Sequence, residues 1–198
     1  MHHFAKTVHV GSLSCQHGGV DHTADQIVRA ARRALVAGEP VDVGRIAAEV
    51  GVDRSTVFRR VGRRDVVVAE ALWQTTEAIT WPACLAAHPA GGEHRAAKVL
   101  RDYVQLLIDE PWFRQFLHRD PARALRILTT ADSPIQGRMQ ALVGDLLEHE
   151  PPGPVDLAPA ALALALVRVA ESFIYADLIA GATPDADAAY QIFVALLG

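Results

Sequence analysis

The sequence predicts an all-α fold of about nine helices, and three observations carry that reading. Apolar residues recur at helical spacing through most of the 198 residues. Helix-capping Asp, Ser and Thr precede these runs, and Gly or Pro closes them. No stretch alternates β-branched and aromatic residues as a strand does, and no internal repeat is visible.

Residues 1–20 hold His2, His3, His9 and His17 with no sustained periodicity, so a flexible tail is expected. Those histidines lack a compact ligand spacing, and no metal site is expected there. The first helix begins in "TADQIVRAARRALVAGEP", with Thr23 as its cap. It turns Ile27, Ala31, Ala34 and Leu35 inward, and Gly38 and Pro40 stop it. Asp42 caps a second helix through Ile46, Ala47 and Val50 to Gly51, and Asp53 caps a third over "RSTVFRRV". A fourth starts near Arg64, places Val68, Ala71, Leu72, Thr75 and Ile79 on one face, and ends at "WPA" before Pro82. Beyond the loop "HPAGGEH" come "RAAKVLRDYVQLLIDEP", two shorter helices divided by prolines, and one closed by "PPGP". The longest helix spans residues 156 to about 180, and "DADAAYQIFVALLG" forms the last.

The bulk numbers bound the function. Hydrophobic residues make up 51% and charged residues 21%, as in an ordinary folded domain. With only Cys15 and Cys84, a disulfide framework is not expected and a reducing cytoplasm fits. No secretory leader is expected, since residues 1–20 lack a basic region followed by an unbroken apolar run. The longest charge-free apolar run, Leu157 to Val167, is closed by Arg168 and Glu171. That is well short of the ~20 residues a membrane span needs. A cytoplasmic protein without a membrane segment is expected.

Charge is distributed unevenly. The net charge is -4, yet the window Arg54 to Arg64 carries five arginines and no acid. A local basic patch on an acidic chain suits a polyanionic partner. The residues before it explain the placement. Ala47 is small, Gly51 follows four positions later, and Val57 is an aliphatic anchor six beyond that. With caps at Asp42 and Asp53, this is the spacing of a helix-turn-helix, whose second helix enters the major groove. Arg54 and Arg59 then suit bidentate contacts to guanine, while Ser55 and Thr56 suit bases or phosphate. Arg60, Arg63 and Arg64 face the DNA backbone.

Residues 25–75 resemble the DNA-binding domain of TetR-family transcriptional regulators. The matching features are a first helix, "DVGRIAAEVGVDRSTVFRRV", and a "GRRD" junction into a long fourth helix. The chain departs from the family pattern at Phe58, where a tyrosine usually contacts phosphate, at Arg60 in place of His, and at Arg63 in place of a capping Ser. Phe58 joins the DNA-contact set by its position in that pattern. The resemblance implies a domain at 21–66 that binds a double-stranded, palindromic DNA operator. It further implies an effector-binding and dimerising domain at 67–198.

The C-terminal part supports that division. The helix from 156 is apolar around most of its circumference, more than one buried stripe requires. Together with the last helix it makes Leu162, Leu166, Ala189, Ile192, Phe193 and Leu196 candidates for a homodimer interface. Aromatic residues cluster as Trp73, Trp81, Tyr103, Trp112, Phe113, Phe116, Phe173 and Tyr175. All of these but Trp81 are candidates to line a pocket for a small hydrophobic ligand. Arg168 and Glu171, one turn apart, either pair with each other or orient a polar ligand head. The stretch "FLHRDPARALRILTTADSPIQGRM" faintly resembles the regulatory domain of QsdR-like members, which implies an acyl- or lactone-like effector.

No cofactor is implied. The sequence has no G-x-S-x-G, phosphate loop, H-E-x-x-H or adjacent Cys/His pair, so an enzyme is not expected. The expected function is a ligand-released repressor. The alternative is a DNA-binding regulator without a small-molecule effector.

Overall fold

The computed structural model describes residues 21–151 and 153–198. The expected flexible tail, with its four histidines and Cys15, lies outside the described residues. All regular structure among the described residues is helical.

The N-terminal unit contains α1 (His22–Val36), α2 (Val43–Val50) and α3 (Arg54–Arg60). The cap of α1 is Asp21, not Thr23. Its carboxylate accepts from the amides of Thr23 and Ala24 at 3.2 and 3.3 Å. A carboxylate is the stronger acceptor for these unpaired amides and also favours the positive end of the helix. Asp42 caps α2 through the Arg45 amide at 2.9 Å. Asp53 holds the cap position of α3 without a side-chain bond. Ile27, Ala31, Ile46, Ala47 and Val57 close the core between the three helices.

The fourth helix is longer than its sequence suggests. α4 (Arg64–Thr75) passes through a π-helical turn at residues Thr76–Thr80 into α5 (Trp81–Ala87). Pro82 therefore sits in the first turn of a continuing helix rather than ending one. The wide turn just before it has i→i+5 bonding, with the Trp81 amide donating to the Thr76 carbonyl. The extra residue per turn shifts the helical phase. Ile79, expected to face inward, is 53% exposed, and Trp81 is buried instead.

The remaining helices are α6 (Arg95–Asp109), α7 (Pro111–Arg119), α8 (Pro121–Thr129), α9 (Pro134–Leu147), α10 (Pro159–Ile174), α11 (Ala176–Ala180) and α12 (Ala186–Leu197). The helix expected to reach residue 180 breaks at Tyr175. Arg114 Nη1 donates to the Ile174 carbonyl at 3.0 Å and its Nη2 pairs with Asp177, so α7 clamps the break. α4 packs against α1 on one side and against α8 and α9 on another, while α12 lies along α6 and α10. One apolar cluster runs from Ile27 to Phe193.

No helix among the described residues is long and apolar enough to cross a membrane. None of their His, Cys, Asp or Glu side chains gather in a metal-binding group of three or more.

Candidate functional site

Two places on this scaffold carry chemistry. The first is built by the α2–α3 turn. Gly51 ends α2 at φ 75°, a left-handed conformation that a side chain disfavours. Its amide donates to the Ala48 carbonyl at 3.3 Å, and the Val52 amide to that of Ala47 at 2.9 Å. Ala47 and Val57 are buried, so the two helices meet closely. Anchoring Val57 inward turns Arg54, Ser55, Phe58, Arg59 and Arg60 outward, with Thr56 half-buried between them.

The five arginines differ in how they are held. Arg54 and Arg63 are exposed, and their side chains make no hydrogen bond or ion pair among the described residues. Arg59 Nη2 donates to Thr56 Oγ1 at 3.3 Å, one turn away. Arg60 Nη1 reaches Asp21 Oδ2 at 3.1 Å, tying α3 to the cap of α1. Arg64 Nε donates to the Val41 carbonyl at 2.7 Å and holds the start of α4 against the α1–α2 loop. The acid-free sequence window thus has an acid beside it in space, Asp21, which sequence distance concealed. Phe58, 46% exposed, presents an apolar ring on the same face.

The second place is a cavity of about 60 Å³ enclosed by α4, the π-turn and α6 to α10, with Tyr175 completing the wall. Among the expected pocket residues, Trp73, Tyr103, Trp112, Phe113, Glu171 and Tyr175 line it. Phe116, Arg168 and Phe173 do not belong to the lining. Arg168 lies outside as an ion-pair partner, its Nη1 donating to Glu171 Oε2 at 2.7 Å. Sequence reasoning missed Thr75, Thr76, Thr80, Gln136 and Met139, which also line the wall. A glutamine in the otherwise apolar face of "PIQGRMQALVG" was the available signal for Gln136, which is 4% exposed.

Burial governs the titrating groups here. It raises Glu171 above its ordinary 4.5, against the hydrogen bonds from Gln136 and Arg168. Desolvation pushes the Tyr103 hydroxyl up to about 12, and Tyr175 upward as well.

The expected dimer residues divide sharply. Leu166, Ala189 and Phe193 are fully enclosed within the protomer, so in this conformation they cannot meet a second copy. Each helix spends that apolar face on its own core. Leu162 and Leu196 are half-buried, and Ile192 is 39% exposed.

Residues 91–198 match the family model described as "Tetracyclin repressor-like, C-terminal domain". The fold is similar to that of the TetR-family transcriptional repressor QsdR of R. erythropolis, at 22% identity and TM-score 0.79, covering 90% of this chain and 96% of that one. It is also similar to the multidrug binding protein EbrR. With imidazole bound, that structure gives 21% identity, TM-score 0.58, and coverage of 88% and 89%. With ethidium bound it gives 20% identity, TM-score 0.53, and coverage of 89% and 99%. No curated protein sequence matches the chain.

Proposed function

Because the chain belongs to the tetracyclin-repressor-like (TetR) family of transcriptional regulators, we propose that it represses from a palindromic operator and is released when a small hydrophobic effector fills the cavity. The observation that carries this reading is the continuity of α4. Its first turn adjoins the arginine-bearing helix, and its last turn, with Leu72, Trp73 and Thr75, forms cavity wall. A ligand that moves the wall moves the reading head through one rigid element.

The cavity's size supports a moving wall. About 60 Å³ holds a few waters, whereas ligand sites are usually ~300–1,000 Å³. An effector must therefore enlarge the cavity. It stabilises whichever position of α4 makes room for it, which is the differential affinity that allosteric release requires.

In this reading residues 21–66 read DNA and residues 67–198 bind effector and dimerise. Arg54, Ser55 and Arg59 contact bases. Thr56, Phe58, Arg60, Arg63 and Arg64 complete the DNA surface. Two copies place two reading heads about one helical turn of DNA apart, ~34 Å, or a multiple of it.

The test is operator selection from random duplexes, followed by fluorescence anisotropy at ~0.1 M salt, where nonspecific attraction is partly screened. Arg54→Ala and Arg59→Ala each lose roughly 1–3 kcal/mol of specific binding, about 5- to 150-fold. Unchanged affinity in both variants overturns the assignment.

A further inference from the structure

The cavity wall carries a carboxylate, Glu171, and an amide acceptor, Gln136, whose orientation is fixed. Gln136 Nε2 donates one hydrogen to the Leu128 carbonyl at 2.6 Å and the other to Glu171 Oε1. Both partners are pure acceptors, so the amide cannot be turned over. Its Oε1 is then left buried with no hydrogen-bond partner among the described residues. A buried polar atom without a partner is costly unless something arrives to satisfy it.

The threonine and Tyr103 hydroxyls are already committed within the wall. Thr75 Oγ1 donates to the Ala71 carbonyl at 3.1 Å, and Thr80 Oγ1 to the Thr75 carbonyl at 3.4 Å. Tyr103 donates to Met139 Sδ at 3.6 Å, and its oxygen lies 3.3 Å from the Thr76 hydroxyl. Tyr175 and the indole N–H groups of Trp73 and Trp112 are the lining side-chain donors without a partner among the described residues. Glu171 is the only ionisable acid in the wall, and no Lys, Arg or His lines it. The rest is aromatic and aliphatic, with Trp73, Trp112 and Phe113 presenting rings that also favour a cation.

We propose that the cavity takes ligands built as an aromatic-faced apolar body carrying a protonated amine, which donates to Gln136 Oε1 and to the Glu171 carboxylate. This rests on the reading of the cavity as the effector site. It departs from the acyl or lactone chemistry expected from sequence, because an ester or lactone head brings only acceptors and leaves Gln136 Oε1 and the Glu171 carboxylate unmatched. A carboxylate head would add repulsion from Glu171. Burial raises the Glu171 carboxyl despite the hydrogen bonds from Gln136 and Arg168, which accords with a charge that an arriving cation would compensate further.

A matched series tests the head group on the full chain by titration calorimetry: 2-naphthylmethylamine, 2-naphthoate and 2-methylnaphthalene. The amine is expected to bind at least about tenfold tighter than either of the others, the scale of a charge-assisted hydrogen bond. Glu171→Gln and Gln136→Leu each cut that preference severalfold and leave 2-methylnaphthalene within about twofold. Equal or tighter binding of the carboxylate overturns the proposal, and so does an amine preference that survives in both variants. If 2-methylnaphthalene binds and the amine gains nothing, the head-group chemistry falls while the effector cavity stands. If no member of the series binds, both fall. Should a variant fail to fold, the amine-to-carboxylate ratio of the unaltered chain decides alone.

Discussion

Arg64 sends its Nε to the Val41 carbonyl at 2.7 Å, while the side chain of Arg63, one position earlier, bonds to no described residue. The two substitutions therefore separate. Arg63→Ala is expected to flatten the slope of log K against log salt by about 0.9, the value of one phosphate contact, and to leave the melting temperature unchanged. Arg64→Ala is expected to lower the melting temperature too, because the loop–α4 tether goes with it. Calorimetric melting beside a salt titration reads both, and identical behaviour of the two variants would sink the distinction. Composition and spacing located this basic cluster without difficulty. Which arginine is free and which is tethered depends on Asp21 and Val41, residues that only folding brings near.

At the scale of elements, Gly51 is the point where local sequence dictates geometry. It holds φ 75°, and a Cβ there would meet nothing within 4 Å, so the cost of alanine is conformational rather than steric. Gly51→Ala is expected to lose roughly 1–2 kcal/mol in urea unfolding, and Gly51→Asn less, since Asn tolerates this region. An alanine variant as stable as the parent would contradict the strained turn. α4 shows the opposite case, an element controlled by distant partners. Asp65 in its first turn accepts from Arg123 Nε at 2.7 Å and from Arg126 Nη2 at 3.0 Å, both on α8. Glu70 accepts from Arg138 of α9 at 2.8 and 2.9 Å. Burial alone would raise Asp65, but the hydrogen bonds and charges of Arg123 and Arg126 outweigh it and hold the carboxyl below its ordinary 3.8. A depressed carboxyl contributes stability that is present above pH 3.8 and lost as pH falls through the folded-state value. Asp65→Asn should therefore lower stability at neutral pH and flatten the acid limb of a stability–pH profile below that value. An unchanged acid limb would remove Asp65 as the latch between α4 and α8.

The helices themselves were largely legible, because amphipathic periodicity and caps act within a few residues. The exceptions were tertiary. The π-turn carried the fourth helix past Pro82 and rotated Ile79 outward. Arg114 broke the long helix at Tyr175 by taking the Ile174 carbonyl.

At the scale of the whole molecule, α10 and α12 lie against each other and leave an outward stripe of Ala160, Ala161 and Leu164 on one and Ile192 and Ala195 on the other. Leu164 is 40% exposed and Ile192 39%, with small neighbours that permit close approach. If this stripe joins two copies, Leu164→Glu with Ile192→Glu places two unpaired charges in an apolar contact. Sedimentation equilibrium is expected to fall from twice 21.4 kDa to 21.4 kDa, with loss of tight operator binding. A double variant that stays dimeric moves the interface elsewhere.

The all-helical class, the turn at Gly51, the inward anchor at Val57 and the basic face beyond it were determined by the sequence itself. Each depends on side-chain chemistry acting over one or two helical turns. Which apolar stripes of the last helices stay inside the protomer was decided only by tertiary structure. So were the partners of Arg60 and Arg64, and the unpartnered Gln136 oxygen in the cavity wall. Those outcomes require residues far apart in the chain to compete for the same buried surface and the same hydrogen bonds. Periodicity records that a face is apolar, and packing alone chooses what covers it.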